Sequence, residues 1–257
     1  MTGVHPFMIT WIGHATVLVE IDGVRILTDP ALTVSMAHLR RRRPTPTLED
    51  VDVVAISHLH MDHLHRPSLR RIADAKPRVL LPAGSMSLLR GLGFEDVLEM
   101  RPGDSVDLTK GAGQVSVDAV HAEHSGARGP HSRLAAQPMG FVFRADNRSV
   151  YFAGDTDLFE EMADIGPVDV ALVPIWGWGP NLGERHLNPL TAARATALLQ
   201  PRHVIPIHWG TYSPVRPRRG SPLWLDSPLQ AFRDALDLHD LGDRLIGLWP
   251  GECTSIP

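Results

Sequence analysis

One cysteine, Cys253, stands in a chain of 257 residues. It has no partner for an internal disulfide, which excludes a cross-linked secreted scaffold and fits a reducing compartment. Long apolar runs are missing too, none reaching the roughly 20 residues of a membrane span. Met1 to Thr10 lacks a basic segment followed by an apolar stretch and a small-residue cleavage site, so a soluble, cytoplasmic protein is expected. Nor is there an excess of one charge. With 25 basic and 29 acidic residues the formal charge is -4, which provides no global field for nucleic acid or an anionic membrane, so any preference for an anion must be local. No repeat period or low-complexity tail interrupts the chain. At 43% hydrophobic and 21% charged residues it can bury a sizeable core, and a single domain over residues 1–257 is expected.

Histidine, by contrast, is abundant, with fourteen residues, several at the ends of apolar runs. The densest group is Ser57-His58-Leu59-His60-Met61-Asp62-His63, which follows the apolar run Val51 to Ile56. A buried strand ending in His-x-His-x-Asp-His holds four metal-ligand side chains where a rigid sheet gives way to a turn. In extended chain His58 and His60 point the same way, whereas Asp62 and His63 fall in the turn and can serve a second, neighbouring ion. Two divalent metal ions are therefore expected. Imidazole and carboxylate suit Zn, while Mn, Fe or Ni fit the same donors.

Other strand ends point the same way. Phe7 to Ile12, Ala15 to Ile21 and Val24 to Thr28 predict a β meander with Asp22-Gly23 as a hairpin turn. His14 lies between the first two strands, and Asp29 ends the third, where it can fix the tautomer of a ligand histidine. Ala31 to Asp50, with Arg40 to Arg43 and two prolines, predicts a long ordered loop whose arginines are either solvated or gather an anionic substrate. Helices are expected at Pro67 to Ala75, Ser85 to Leu92, Glu160 to Ile165 (capped by Asp157), Asn188 to Gln200 and Leu229 to Leu238 (capped by Ser227). Strands are expected at Arg78 to Leu81, Val97 to Met100, Ser105 to Leu108, Val115 to Val120, Met139 to Arg144, Ser149 to Phe152, Val168 to Val173, His203 to Ile207 and Leu245 to Trp249. Three of them run into donors. Val115 to Val120 leads to His121 and His124, either of which can complete the first metal's set, and His124 is the preferred choice. Ser149 to Phe152 leads to Asp155, which is placed to bridge two ions, and His203 to Ile207 leads to His208. The loop Trp176 to Pro180 either packs or walls an apolar part of a pocket.

Taken together, these motifs resemble the metallo-β-lactamase-fold hydrolases. Within them, Thr10 to Val17, Thr28-Asp29-Pro30 and Ile205 to Thr211 are similar to the branch that contains N-acylphosphatidylethanolamine-hydrolysing phospholipase D and the L-ascorbate-6-phosphate lactonases. The resemblance implies an α/β fold, a four-layered αββα sandwich. It also implies a ligand set of His58, His60 and His124 on one ion and Asp62, His63 and His208 on the other, with Asp155 bridging. The activity implied is hydrolysis by a metal-bridging hydroxide, of a phosphodiester or another anionic ester, with a lactonase, a carboxylic ester hydrolase or a non-catalytic metal scaffold as alternatives. Asp62, His14 and His186 are the expected catalytic side chains, and a small anionic molecule is the expected substrate, with no nucleic acid. His65 stands where the family usually has an acidic residue, and Trp176 to Arg185 departs from the phospholipase pattern, so lipid specificity is not carried over.

Overall fold

A computed structural model describes residues 6–111, 113–129, 131–177, 179, 181–214 and 223–257. Trp178 and Pro180 of the expected aromatic loop, and the first five residues, lie outside the described residues. The chain opens with β1 (Met8–Gly13), β2 (Thr16–Ile21) and β3 (Val24–Thr28), the expected meander. Two short strands, β4 (Ser35–Met36) and β5 (Leu39–Arg41), precede β6 (Val53–Ala55) and α1 (Arg66–Ile72). Next come β7 (Arg78–Pro82), β8 (Val97–Met100), β9 (Ser105–Lys110) and β10 (Gly113–His121). The second half holds β11 (Met139–Ala145), β12 (Arg148–Phe152), α2 (Met162–Ile165), β13 (Val170–Pro174), α3 (Pro189–Leu199) and β14 (His203–Ile207). It ends with β15 (Tyr212–Pro214), α4 (Leu223–Asp237) and β16 (Cys253–Ser255).

A seven-stranded sheet, ordered β16-β1-β2-β3-β6-β7-β8, faces a six-stranded sheet, ordered β14-β13-β12-β11-β10-β9. Period-two alternation decides which side chains go where. Along the first sheet Val17, Val19, Ile26, Val53, Ala55 and Leu80 turn inward to a core shared with the second sheet. Their neighbours Leu18, Leu27, Val54, Val79 and Leu81 turn outward and pack with Leu69 and Ile72 of α1. In the second sheet Val170 to Val173 is buried on both faces, because the shared core lies on one side and α3 and α4 cover the other. Helix, sheet, sheet and helix thus form four layers.

Local chemistry explains the best-placed element. In α3, Asn188 accepts from the backbone N–H of Leu190 and Thr191, Thr191 Oγ1 accepts from Asn188 N at 2.9 Å, and Pro189 occupies the first turn. Four expectations are corrected. Ser85 to Leu92 yields only a 3-10 turn at Met86–Leu89, because Gly91 and Gly93 take left-handed angles. The helix near the C-terminus starts at Leu223 rather than after Ser227 and carries Pro228 inside it. There the buried Leu225, Phe232 and Leu236 keep helical spacing, and their packing outweighs the lost hydrogen bond. Leu245 to Trp249 is not a strand, since only Leu245 bridges to Val204; the closing strand is β16, which pairs with β1. Asp157 does not cap α2, as its carboxylate accepts from Leu158 N.

The arginine run is also structural. Its β5 joins β4 and β15 in a third, three-stranded sheet. Arg41 is buried, donating to Ile12 O at 2.7 Å and Ala31 O at 2.8 Å, while Arg42 pairs with Asp226 at 2.7 Å and Arg43 lies over the Trp249 ring. Arg41 thus belongs to the core, whereas Arg42 and Arg43 stay at the surface with these partners. Among the described residues no helix is long and apolar enough to cross a membrane.

Candidate metal centre

Strands that run parallel end together, and their carboxyl ends build this site. Thr28 of β3 pairs with Ala55 of β6, so Asp29 and Ser57 emerge side by side from the first sheet. Across the core, β12, β13 and β14 are parallel and deliver Asp155, Trp176 and His208 to the same edge. Gly154, just past β12, meets Ser57 across the site. Its φ is 62°, and a Cβ there would sit 2.7 Å from Ser57 Cβ, so only glycine lets β12 reach the histidine turn. Three site residues with side chains also hold left-handed backbone: His14 (φ 58°), Asp29 (φ 32°) and His208 (φ 62°). His208 N donates to His14 O at 3.0 Å, which joins two of them.

Among the described residues three groups of donor atoms are each compact enough for one ion: His58, His60, His124 and Asp155; His14, Asp62, His63 and His208; and Asp29, His58 and His63, which overlaps the first two. In the first, His58 Nε2 and His124 Nε2 lie 3.0 and 3.2 Å from His60 Nδ1. In the second, His63 Nε2 and His208 Nε2 are 3.3 Å apart. Asp155 lies between them, with Oδ2 3.2 Å from His63 Nε2 and 3.9 Å from both His58 Nε2 and His124 Nε2, and Oδ1 3.2 Å from His208 Nε2.

Oxygen acceptors behind the rings fix where the protons sit. His208 Nδ1 donates to Trp176 O at 2.7 Å, His124 Nδ1 to Arg185 O at 2.8 Å and His63 Nδ1 to Asp29 Oδ2 at 2.7 Å. Ser57 Oγ gives its own proton to Asp29 at 2.5 Å and so accepts from His58 Nδ1 at 3.0 Å. The Nε2 lone pairs of His58, His124 and His208 therefore point inward. Asp155 Oδ1 is buried without a hydrogen-bond donor. Inward lone pairs around buried carboxylates are what divalent cations require, so the donor set fits two ions.

A family model described as a β-lactamase superfamily domain matches residues 24–209. The chain belongs to the metallo-β-lactamase superfamily. This superfamily member is 34% identical over 214 residues to a UPF0173 metal-dependent hydrolase of Methanopyrus kandleri, covering 80% of this chain and 86% of that protein. It is also 34% identical over 226 residues to N-acyl-phosphatidylethanolamine-hydrolyzing phospholipase D 1 of Caenorhabditis elegans. That match takes in 79% of this chain and spans 64% of the nematode protein's length. Among solved structures it is similar to a metallo hydrolase from Ignicoccus hospitalis, with a TM-score of 0.73, 27% identity and coverage of 97% and 98% of the two chains. The four-layered fold is thus that of the metallo-β-lactamase superfamily, and the chain is a member of a metal-dependent hydrolase family.

Electrostatics in this metallo-β-lactamase centre follow from burial and crowding. Burial alone would raise the carboxyl of Asp62, but His63 and His14 outweigh it and hold it well below the usual range. Asp155 behaves the same way, with His208 and His63 the main opposing groups. Burial and neighbouring imidazoles lower His60 to about 4, and burial brings His208 to about 3 despite Asp155. His63 is the exception. Burial opposes its charge, yet Asp155, Asp62 and Asp29 hold its pKa well above the ordinary value. An ion bound at Nε2 must expel the proton that these carboxylates favour there. Uptake of metal near pH 7 is expected to release about one proton per chain, so affinity rises about tenfold per pH unit until His63 deprotonates by itself. Calorimetry in buffers of different ionisation enthalpy reads that proton directly.

The remaining sequence-expected residues separate. His14 Nε2 is hydrogen-bonded to Asp62 Oδ2 at 2.8 Å and so aims that carboxylate. His186 donates from Nδ1 to Glu184 O at 2.9 Å and turns Nε2 to within 3.5 Å of Asp155 Oδ2. Asp155 outweighs burial and raises the pKa of His186. His121 is exposed at the end of β10, beside Glu123 and Phe159, and joins neither donor group. A cavity of about 810 Å³ opens over the centre, walled by His60, Asp62, Asp155, His186 and His208 together with Met36, Met61, Pro67, Arg66 and Arg128. Trp176 packs against the core instead. Sequence reasoning missed Ser57, whose hydroxyl relays Asp29 to His58, and the two cavity arginines. No local pattern marks a serine or a lone arginine for such a role.

Proposed function

We propose that the whole chain is one dinuclear metal-dependent hydrolase domain that cleaves anionic esters, phosphodiesters foremost. His58, His60 and His124 would hold one ion and Asp62, His63 and His208 the other, with Asp155 available to both. The observation that carries this reading is the buried Asp155 carboxylate, with Oδ1 undonated, set among inward-facing Nε2 lone pairs of both donor groups. Bound there, two divalent cations, with Zn best suited to these donors, supply a water acidified toward neutral pH and positive charge beside the ester oxygens.

The chain's own groups supply the rest. Asp62, aimed by His14, and Asp155 stay ionised across the working range, since their neighbours hold both pKa values low. His186 turns Nε2 to the cavity wall, where its imidazolium form can donate a proton. As the oxygen of water bonds to phosphorus and the phosphorus–oxygen ester bond breaks, that proton passes to the leaving oxygen, while the proton given up by the water goes to solvent and later restores His186. The preference for a phosphodiester is supported by the name of the nematode relative, a phospholipase D.

Elemental analysis of the purified chain, beside turnover of bis(p-nitrophenyl) phosphate and a small lactone panel, tests this reading. Near two metals per chain and diester turnover that a chelator abolishes are the expected results. Turnover of lactones alone moves the assignment to a lactonase, and no stoichiometric metal under replete conditions rejects the centre.

A further inference from the structure

The cavity has one charged feature that the hydrolytic step does not use. Arg66, at the start of α1, and Arg128, in the loop after β10, line it together. Each is held from behind by backbone carbonyls. Arg128 donates from Nη1 to Leu59 O at 2.6 Å and from Nη2 to Leu64 O at 3.2 Å. Arg66 donates from Nη1 to Leu88 O and from Nη2 to Arg90 O at 3.0 Å. These acceptors are neutral, and among the described residues neither arginine forms an ion pair with a carboxylate. The remaining N–H bonds of each guanidinium are left for another acceptor.

The two cations are close enough to disfavour one another: burial and the charge of Arg66 both lower the pKa of Arg128, with Asp62 opposing. Like charges fixed on one wall are stabilised by an anion placed between them. Beside His65 and Ser125, Met36, Met61, Pro67 and Ala127 add apolar surface to the same lining, and Met61 is 64% exposed. An exposed methionine beside a catalytic cavity offers an adaptable surface for hydrocarbon.

We propose that Arg66 and Arg128 form a subsite for a second anionic group of the substrate, distinct from the ester that meets the metal centre. This rests on the hydrolase reading above. The substrate class is an ester with the reacting group at one end, a carboxylate or phosphate at the other, and a short apolar spacer lying over Met36, Met61 and Pro67. Both anions suit the planar guanidinium fork, which binds either in bidentate fashion. Selection of an anionic substrate falls to these two arginines and not to Arg41, Arg42 or Arg43.

Two inhibitors of equal length separate the subsite from the metals: hexylphosphonate, with one anionic end, and phosphonohexanoate, with two. Competition against bis(p-nitrophenyl) phosphate turnover gives an inhibition constant for each. In the wild-type chain the two-ended compound is expected to bind about ten- to a hundredfold tighter. In Arg66→Gln that ratio falls below about threefold, and Arg66→Lys, which restores charge without the fork, recovers part of it. Arg128→Gln lowers the ratio likewise if its metal content is intact. Should losing the bonds to Leu59 and Leu64 unfold the metal turn, Arg66→Gln alone decides. A wild-type ratio near one, or a ratio unchanged in Arg66→Gln, overturns the subsite. A wild-type chain without turnover instead overturns the hydrolase reading, and calorimetric titration with the same two phosphonates still decides the subsite.

Discussion

Asp155→Ala is expected to hold fewer than two metal ions per chain and to hydrolyse bis(p-nitrophenyl) phosphate at most about a thousandth as fast as the parent, a loss of about 4 kcal/mol in barrier stabilisation. The magnitude follows from position. One carboxylate approaches imidazoles of both donor groups, from His58 and His124 on one side to His63 and His208 on the other. Under the proposed assignment, its removal would deprive both ions of a shared carboxylate. It also removes the largest of the charges that favour the proton on His63, so the proton released on metal uptake should diminish in the same variant. Asp155→Asn keeps the shape without the charge and separates folding from metal binding: a native thermal transition with lowered metal content is the expected outcome. If Asp155→Ala retains two ions and turns over within tenfold of the parent, Asp155 is not the shared ligand.

A second large effect is expected at Asp29, which belongs to no step of the chemistry. Its buried carboxylate accepts from Ser57 N at 2.7 Å, from Ser57 Oγ at 2.5 Å and from His63 Nδ1 at 2.7 Å. Through Ser57 it also governs His58, so one side chain sets a histidine in each donor group. Asp29→Ala leaves those donors buried and unmatched, at about 1–3 kcal/mol each, so a loss of about 3 kcal/mol or more in stability is expected. Metal affinity should fall about 10- to 100-fold because both rings lose their orientation. Thermal unfolding of the metal-free chain and chelator competition on the loaded chain measure the two effects separately. A Tm and a chelator midpoint both equal to the parent's would show that Asp29 is dispensable.

Where an element has a local cause, the sequence predicts it. Alternating apolar residues set β1 to β3, and Asn188-Pro189 sets the start of α3, because hairpin and capping chemistry is contained within a few residues. The histidine turn was legible for the same reason. What failed depends on contacts distant in sequence. Pro228 inside α4 is tolerated because of what Leu225, Phe232 and Leu236 pack against, and β16 forms because β1 leaves an edge to pair with. Arg41 shows the same limit: four consecutive arginines read as a solvated or substrate-facing run, yet one of them is buried under Tyr212 with two backbone carbonyls as partners. At the centre, His14, Asp155 and His208 are visible as strand-end donors and Asp62 as a donor in the histidine turn. The Ser57 relay and the backbone acceptors Trp176 O and Arg185 O are not, since a carbonyl has no sequence signature.

The left-handed backbone at His14 and His208 leaves an evolutionary mark. Such angles cost an ordinary residue about 1 kcal/mol or more, whereas glycine takes them freely. While the imidazoles are needed, selection keeps that burden. In a descendant that has given up the chemistry, glycine at positions 14 and 208 relieves the strain and leaves the hydrogen bond from residue 208 N to residue 14 O available. Glycine at both positions is therefore the expected replacement in superfamily members that have given up catalysis, and comparison of their sequences at these two sites checks it.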